Sequence, residues 1–291
     1  YRQGIGMNKF TVVVAEPIHQ AGILMLEEEG VKVVKLPPGS DEDALMELAP
    51  MADAFITRGF IKVTREIMAA SPRLRVVGVH GVGCDHIDLQ AAKDLGKVVF
   101  NTPAALTEAV AEMTLALMLA LTRRVVSADK AVRAGGWTRK FSDLIGSDLM
   151  GKIVGIIGLG RIGGAVARRL KPFGVELLYY DVVGRPEMES ELGVRRVDLD
   201  ELLRRSDIIT LHTPFTPQTE GLISKRALGI MKDGVYIVNT ARGRVIDQSA
   251  LTEALRSGKV AGAALDVFEE EPLDVVDPLA SMDNVILTPH I

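Results

Sequence analysis

Three side chains that could hold a carboxylate and move a proton follow predicted strands in the second half of the chain. They are Arg242, one of three consecutive glutamates, and His290. An arginine can bind a carboxylate through two parallel hydrogen bonds, and a histidine can transfer a proton near neutral pH. An acid beside that histidine would orient its ring and stabilise its charged form. The residues alone do not distinguish Glu269, Glu270 and Glu271 as this acid.

A glycine motif in the middle of the chain predicts a dinucleotide site. A short apolar run leads into Gly158-x-Gly160-x-x-Gly163, and a pattern typical of a helix follows. Gly158 permits a tight turn, Gly160 lets a pyrophosphate approach the backbone, and Gly163 lets the helix pack closely on the sheet. Arg161 and Ile162 lie at the predicted helix N-terminus, where free amides and the helix dipole favour phosphate.

Asp181 indicates which dinucleotide is bound. It ends the next apolar run, about twenty residues past the glycines, where an acid accepts hydrogen bonds from the adenosine ribose. A carboxylate there repels a 2′-phosphate, so NAD is favoured over NADP. Arg185 is interpreted as a solvated loop charge. Together with Arg242, an acid and His290, this site predicts hydride transfer.

Other polar residues at the ends of predicted strands in this half are expected to contact the cofactor. Ligands of open parallel sheets bind beyond the carboxyl ends of the strands. His212 is expected to pack or to bond the backbone there, and not to transfer a proton. The expected cofactor contacts at these strand ends are His212, Thr213, Pro214, Thr240, Ala241 and Asp266.

Composition and charge limit the classes of partner. The chain has 291 residues, enough for two domains, and 47% hydrophobic and 25% charged residues, as in an ordinary globular protein. A net charge of −4 offers no basic surface, so we expect no nucleic-acid partner. The longest apolar stretch, 113–121, is too short to span a membrane. The single Cys84 favours a reducing, cytoplasmic setting.

The spacing of His, Cys and acidic residues does not indicate a metal site. At the N-terminus, the residues before Met7 are excluded from the fold, because Met7 has the appearance of a natural start. Of the histidines in the first hundred residues, only His86 is expected to approach the active site.

Alternating strand and helix patterns predict an α/β fold with two doubly wound parallel-sheet domains and a cleft between them. We place the first domain at residues 7–100 and the second at 101–288. A long helix from Thr107 to Ala134 is expected between the two series of strands. The predicted strands are Phe10–Ala15, Val31–Leu36, Asp53–Thr57, Leu74–Val79, Lys97–Phe100, Ile153–Ile157, Val175–Tyr180, Val194–Val197, Asp207–Leu211, Gly234–Asn239, Val260–Leu265 and Asn284–Leu287.

From about Phe10 to its last residue, the chain resembles the D-isomer-specific 2-hydroxyacid dehydrogenases. The resemblance implies a flavodoxin-like substrate domain and a Rossmann NAD-binding domain. The motifs that carry it are Gly81-Val82-Gly83-Cys84-Asp85-His86-Ile87-Asp88, Asn101-Thr102-Pro103, Val110-Ala111-Glu112, the glycine motif, Leu211-His212-Thr213-Pro214, Asn239-Thr240-Ala241-Arg242-Gly243, Leu265-Asp266-Val267-Phe268-Glu269-Glu270-Glu271-Pro272 and Leu287-Thr288-Pro289-His290.

The same resemblance implies roles for individual residues. The family's catalytic acid stands immediately before the proline, which selects Glu271. Asp266 is implied to bind the NAD carboxamide, and the backbone amides around Val82 and Gly83 to bind the substrate carboxylate. In this family, residues 289–291 would begin a segment that returns to the first domain, and the sequence ends before the rest of that segment.

The resemblance gives conflicting indications about the substrate. The segment around Arg58 is similar to the one in which phosphoglycerate dehydrogenases place an arginine near the substrate. Leu106 stands where those enzymes usually carry Asn, and the residues from Pro103 to Thr107 resemble those of glyoxylate and hydroxypyruvate reductases. Formate dehydrogenase is disfavoured, because there an amide replaces the acid paired with the histidine.

The predicted activity is NAD-dependent interconversion of a D-2-hydroxy acid and its 2-keto acid. Arg242, Glu271 and His290 would be catalytic, and Arg58, Val82, Gly83 and Arg242 would bind substrate. The alternative is an NADH-sensing scaffold, because corepressors use the same fold to report cofactor state to protein partners. The predicted helix from Thr107 to Ala134 is apolar most of the way round, which together with the resemblance predicts a homodimer.

Overall fold

The computed structural model describes residues 10–291, so the expected start at Met7 lies outside the described residues. The chain divides into two compact units between Leu106 and Thr107. We expected the boundary after residue 100. Residues just beyond that point belong with the first unit, because Asn101 completes a strand and the Thr102 amide donates to the carbonyl of Gly81.

The first unit contains a five-stranded parallel sheet in the order β2-β1-β3-β4-β5, the flavodoxin-like order. Its strands are β1 (Thr11–Val14), β2 (Lys32–Lys35), β3 (Ala54–Thr57), β4 (Val76–Val79) and β5 (Val98–Asn101). Its helices are α1 (Gln20–Glu28), α2 (Glu42–Leu48), α3 (Arg65–Ala69) and α4 (Leu89–Asp94).

The second unit contains a seven-stranded parallel sheet in the order β12-β11-β10-β9-β6-β7-β8. The order reverses at β6, which pairs with β7 on one side and β9 on the other, as at the switch point of a Rossmann fold. The strands are β6 (Ile153–Ile157), β7 (Glu176–Tyr180), β8 (Arg195–Arg196), β9 (Ile208–Leu211), β10 (Val235–Asn239), β11 (Val260–Leu265) and β12 (Val285–Leu287). Two doubly wound α/β sheets are thus confirmed.

Helices of the second unit cover both faces of its sheet. Neighbouring residues of each strand point to opposite faces, so both faces supply apolar side chains to a core. In β10, Ile237 packs in one apolar core and Val238 in another. The strands are buried on both faces and therefore consist of nearly continuous apolar runs. These helices are α5 (Thr107–Thr122), α6 (Val125–Arg133), α7 (Arg161–Leu170), α8 (Pro186–Leu192), α9 (Leu199–Arg205), α10 (Lys225–Ile230) and α11 (Gln248–Arg256).

The prediction of one helix from Thr107 to Ala134 was wrong. Arg124 has a left-handed backbone with φ 54°, which separates α5 from α6. The apolar periodicity continues across this residue, so the sequence pattern alone gave no sign of the break. Side chains of α5 such as Leu117, Met118 and Leu121 are buried inside the chain. Between residues 10 and 291, every helix is too short or too polar to cross a membrane.

Candidate active site

The glycine motif forms the turn between β6 and α7. Gly158 has φ 92°, and a Cβ there would lie 2.7 Å from the carbonyl oxygen of His212. A Cβ on Gly163 would lie 2.0 Å from the carbonyl oxygen of Gly158, so only glycine allows this close packing. Among the described residues, no atom lies within 4 Å of a hypothetical Cβ on Gly160, and no side chain caps the helix that begins after it. The turn therefore fits a pyrophosphate at the helix N-terminus.

Asp181 directly follows β7 and holds the glycine turn. The amide of Leu159 donates to its Oδ2 at 2.8 Å, and the amide of Val183 donates to its Oδ1 at 3.0 Å. A carboxylate oxygen accepts more than one hydrogen bond, so ribose hydroxyls can be added to this arrangement. The sequence suggested that Arg185 is a solvated charge. In the structure it is half-buried, and its Nε is enclosed without a hydrogen-bond partner among residues 10–291.

His212 follows β9 and is suited to a structural contact. Its Nε2 lies 2.9 Å from Oγ1 of Thr210, and burial lowers its pKa to about 3. The ring is therefore neutral at physiological pH and does not exchange protons there. The next residues, Thr213 and Pro214, continue the loop, which Thr219 holds by donating to the carbonyl of Pro214 at 2.7 Å.

The loop after β10 presents Arg242. Asn239, which is buried, accepts from the amide of Ala241 at 3.0 Å and donates to the carbonyl of Arg242 at 2.9 Å. Thr240 lies 2.8 Å from Thr114 of α5, and Thr114 already donates to a helix carbonyl, so Thr240 is the donor. Both polar contacts constrain the path of the loop just before the arginine.

Glu271 is the acid that contacts His290. Its Oε2 lies 2.7 Å from Nδ1 of His290, and its Oε1 accepts from the amide of Phe268 at 2.9 Å. Glu269 instead accepts from the amide of Gln248 at 2.9 Å. The carboxylate thus occupies Nδ1 of the histidine and leaves Nε2 as the nitrogen available to a substrate.

The charge state of this pair follows from its surroundings. Partial burial alone would raise the pKa of Glu271. The hydrogen bonds from His290 and the Phe268 amide, with the positive charges of His290 and Arg242, outweigh burial and lower the pKa below its ordinary value. Glu271 is therefore anionic at neutral pH and lies within the electrostatic reach of Arg242.

Asp266 connects the end of β11 to the segment that carries His290. It is buried, and its Oδ1 accepts from the Thr288 hydroxyl at 2.6 Å and from the Ile291 amide at 3.2 Å. These bonds bracket His290, whose backbone has φ 55°. Asp266 was predicted only as a cofactor contact, but it also fixes the backbone on both sides of the histidine.

The predicted substrate residues of the first unit lie on loops at the carboxyl edge of its sheet. Arg58 follows β3 and is exposed, with Nη1 3.3 Å from the carbonyl of Pro17. Val82 and Gly83 lie in the loop after β4, where Asn101 donates to the carbonyl of Val82 at 2.6 Å. Among the described residues, no acceptor takes the amide hydrogens of Val82 and Gly83.

Several residues that organise these loops were not singled out from the sequence. Asn239 and Thr114 position the Arg242 loop, and Glu16 holds the Arg58 loop. Glu16 directly follows a predicted strand, and this position at a strand end is a signal that could have identified it. Within residues 10–291, no cluster of three or more His, Cys, Asp or Glu side chains could hold a metal ion.

Residues 115–291 match the family described as D-isomer specific 2-hydroxyacid dehydrogenase, NAD binding domain. The D-3-phosphoglycerate dehydrogenase of Archaeoglobus fulgidus is 44% identical over 280 residues, which cover 96% of this chain and 53% of that protein. The glyoxylate reductase of Thermofilum pendens is 45% identical over 286 residues, which cover 96% of this chain and 84% of that protein. The chain thus spans about half the length of the phosphoglycerate dehydrogenases it matches.

Solved structures agree with these matches. The TT0316 protein of Thermus thermophilus has a TM-score of 0.89 and 38% identity, covering 97% of this chain and 89% of that one. The D-lactate dehydrogenase of Aquifex aeolicus, complexed with NAD and lactic acid, has a TM-score of 0.85 and 34% identity, covering 97% and 88%. The predicted resemblance is confirmed: the chain belongs to the D-isomer-specific 2-hydroxyacid dehydrogenase family and carries its NAD-binding domain.

Proposed function

We propose that this protein is an NAD-dependent dehydrogenase that interconverts a D-2-hydroxy acid and its 2-keto acid. The observation that carries the proposal is the 2.7 Å contact between Glu271 and Nδ1 of His290, which leaves Nε2 of His290 without a hydrogen-bond partner among residues 10–291. Arg242 supplies the group that binds a carboxylate, and its positive charge is close enough to lower the pKa of Glu271. A purely structural role would not need a solvent-exposed histidine paired with an acid.

In the reduction direction, bound NADH would supply the hydride for the keto carbon. Arg242 binds the carboxylate of the acid and polarises the keto oxygen. His290, protonated on both nitrogens, donates the Nε2 proton to that oxygen as the alcohol forms. Glu271 holds Nδ1 and balances the charge of the ring before the transfer. In oxidation, neutral His290 accepts the hydroxyl proton at Nε2.

The cofactor would be held by the loops at the carboxyl edge of the second sheet. The glycine turn with Arg161 and Ile162 would receive the pyrophosphate, and Asp181 the adenosine ribose. The loops of His212 to Pro214 and of Thr240 and Ala241 flank the same edge, and Asp266 would bind the carboxamide. The open backbone at Gly160 and the start of α7, which no side chain of residues 10–291 caps, support this assignment.

The substrate would be a small acid of the phosphoglycerate or glyoxylate and hydroxypyruvate type. Curated relatives carry both names, D-3-phosphoglycerate dehydrogenase and glyoxylate reductase. The two names correspond to the two substrates indicated by the sequence, since Arg58 favours phosphoglycerate and Leu106 favours glyoxylate or hydroxypyruvate. The amides of Val82 and Gly83, which have no acceptor within residues 10–291, support a carboxylate-binding role for their loop. The cytoplasmic location expected from the single Cys84 stays a prediction.

Activity should appear as loss of NADH absorbance with at least one of 3-phosphohydroxypyruvate, hydroxypyruvate and glyoxylate. Replacing His290 with Gln should lower kcat at least about a hundredfold, since the proton donor is lost. The dissociation constant for NADH should stay unchanged. The values of kcat/KM for the three acids, measured in wild type and in Arg58→Gln, show whether the preferred substrate carries a phosphate group. Absence of NADH oxidation with all three acids would favour the sensing scaffold.

The cofactor preference should depend on the charge of Asp181. NADH should bind at least about tenfold more tightly than NADPH, because the 2′-phosphate would face a carboxylate. Asp181→Asn keeps a hydrogen-bond acceptor and removes the charge. The difference between the affinities for NADH and NADPH, measured by calorimetry, should therefore become smaller. Glu187→Gln removes an exposed carboxylate of the same region and should leave the ratio unchanged. Equal affinities of the wild-type protein for both nucleotides would contradict the assignment.

The Glu271 carboxylate should determine how reduction depends on pH. Reduction needs protonated His290, and the negative charge of Glu271 favours that form. Because the hydrogen bond and charge of His290 lower the pKa of Glu271, the two groups are coupled, and the basic limb of the kcat/KM profile should move to lower pH in Glu271→Gln. Glu269→Gln is the matched control, because Glu269 bonds Gln248 and not His290. An unmoved limb in Glu271→Gln, or an equal movement in both variants, would refute the assignment.

The chain should form a homodimer. The apolar surface that supports this is on α6 and the segment after it, and not mainly on α5: Val125 and Val132 are each 53% exposed, Trp137 64% and Phe141 76%. Light scattering at micromolar concentration should give the mass of two chains, and Trp137→Ser with Phe141→Ser should lower it toward one. The pair Val275 and Val276, which is apolar and even more exposed, serves as control when changed to Ser. A single-chain mass for the wild type would exclude the dimer.

A further inference from the structure

A buried carboxylate in the first unit has no role in the chemistry described above. Glu16 lies two residues after β1 and is only 8% exposed. Burial by itself would raise its pKa, but hydrogen bonds from Arg58, Thr57, Phe60 and Gly59 outweigh this and lower it. An anion is kept in an apolar interior only where several donors surround it.

All four donors lie at the end of β3 and in the loop that follows it, which carries Arg58. Oε2 of Glu16 accepts from the Thr57 hydroxyl and the Arg58 amide, each at 2.7 Å, and from the Gly59 amide at 3.3 Å. Oε1 accepts from the Phe60 amide at 2.7 Å. Three consecutive backbone amides therefore converge on a single carboxylate.

This convergence requires the unusual backbone of Gly59. Its φ of 139° lies in a region that residues with a side chain rarely adopt. Successive amides that curl around an anion form a concave binding site, and here the anion belongs to the protein itself. The carboxylate thus sets the path of the loop on which Arg58 stands exposed.

The same carboxylate is linked to the second predicted substrate loop. Thr57, which is fully buried, gives its only proton to Glu16, so it accepts from Nε2 of His86 at 2.9 Å. His86 lies in the loop after β4 that also contains Val82 and Gly83. The order β1-β3-β4 puts the carboxyl ends of these three strands side by side, which allows one chain of bonds to join both loops.

We infer that Glu16 is a positioning residue for the acid substrate: it holds the loop of Arg58 directly and the loop of Val82 and Gly83 through Thr57 and His86. The inference rests on the proposed function, since those loops are the ones proposed to bind the carboxylate or its substituent. Glu16 acts through backbone amides and a hydroxyl, and does not touch the substrate.

The test is steady-state kinetics of Glu16→Gln with the keto acid that gives the highest kcat/KM in the wild type. A glutamine turns a donor toward the Phe60 amide and removes the charge that gathers three amides. KM for the keto acid should rise about tenfold, as expected from loss of charge-assisted hydrogen bonds, with kcat changed less than about threefold. The dissociation constant for NADH should stay at the wild-type value.

Asp53→Asn is the matched control. Asp53 is also a buried carboxylate with a lowered pKa, and it accepts from the Thr11 amide and from Arg73. It precedes β3, whereas Glu16 contacts the loop that follows β3. Asp53→Asn should therefore weaken the fold without raising KM. Hydrogen exchange should be faster at the amides of 58–60 in Glu16→Gln only.

Thr57→Val carries the test if Glu16→Gln does not fold, because it removes only the link between Glu16 and His86; KM should then rise about threefold. The inference is overturned if the wild type is active and KM is unchanged in Glu16→Gln and Thr57→Val, or if Asp53→Asn raises KM equally. Either result leaves the proposed function standing. A wild type that reduces none of the three keto acids overturns both.

Discussion

Parallel strand pairing is the constraint on which the described chemistry depends. Within residues 10–291, the strands of both sheets pair in parallel, so each sheet collects the ends of its strands at one edge. In the second unit the loops at this edge contain the glycine turn, Asp181, Arg242 and Asp266, and in the first unit they contain the loops proposed to bind substrate. Because the strands themselves are apolar and buried on both faces, polar groups are largely excluded from the sheet interior and occur mainly where the strands end. The clustering of reactive side chains follows from this geometry.

Carboxylates maintain the shape of these loops. Asp181 accepts amides from the glycine turn and its own loop, Asp266 accepts a hydroxyl and an amide on either side of His290, and Glu16 accepts three consecutive amides. A loop at a sheet edge has amides without ladder partners, and an acid at a neighbouring strand end satisfies them. Several acids that the sequence pattern would assign to ligands are thus also part of the local scaffold.

The strands and the glycine turn could be predicted because their causes are local. Apolar runs of β-branched residues mark strands that are buried on both sides, and Gly158 and Gly163 were assigned to turning and close packing, as the structure has them. Choosing Glu271 required the family resemblance, because three adjacent glutamates look alike by residue type, and the fold places this one against His290. The break at Arg124 was missed because a single left-handed residue leaves the apolar period intact. The position of Glu16 directly after a predicted strand could have marked it as a polar group at a strand end, but the loop that it holds lies more than forty residues away and could not be read from the sequence.

The manner in which Glu16 holds the loop after β3, which is proposed to bind substrate, bears on how such a protein can diversify. The carboxylate grips main-chain amides, which every amino acid except proline provides. Side chains at positions 58 and 60 are exposed and contribute nothing to that grip, while glycine at 59 is required by the backbone. Substitution of Phe60 can therefore change the exposed surface of the loop and keep the main-chain contacts that hold it, whereas the Arg58 side chain also donates to the carbonyl of Pro17. A rigid frame built on main-chain contacts leaves the recognition surface open to evolutionary change.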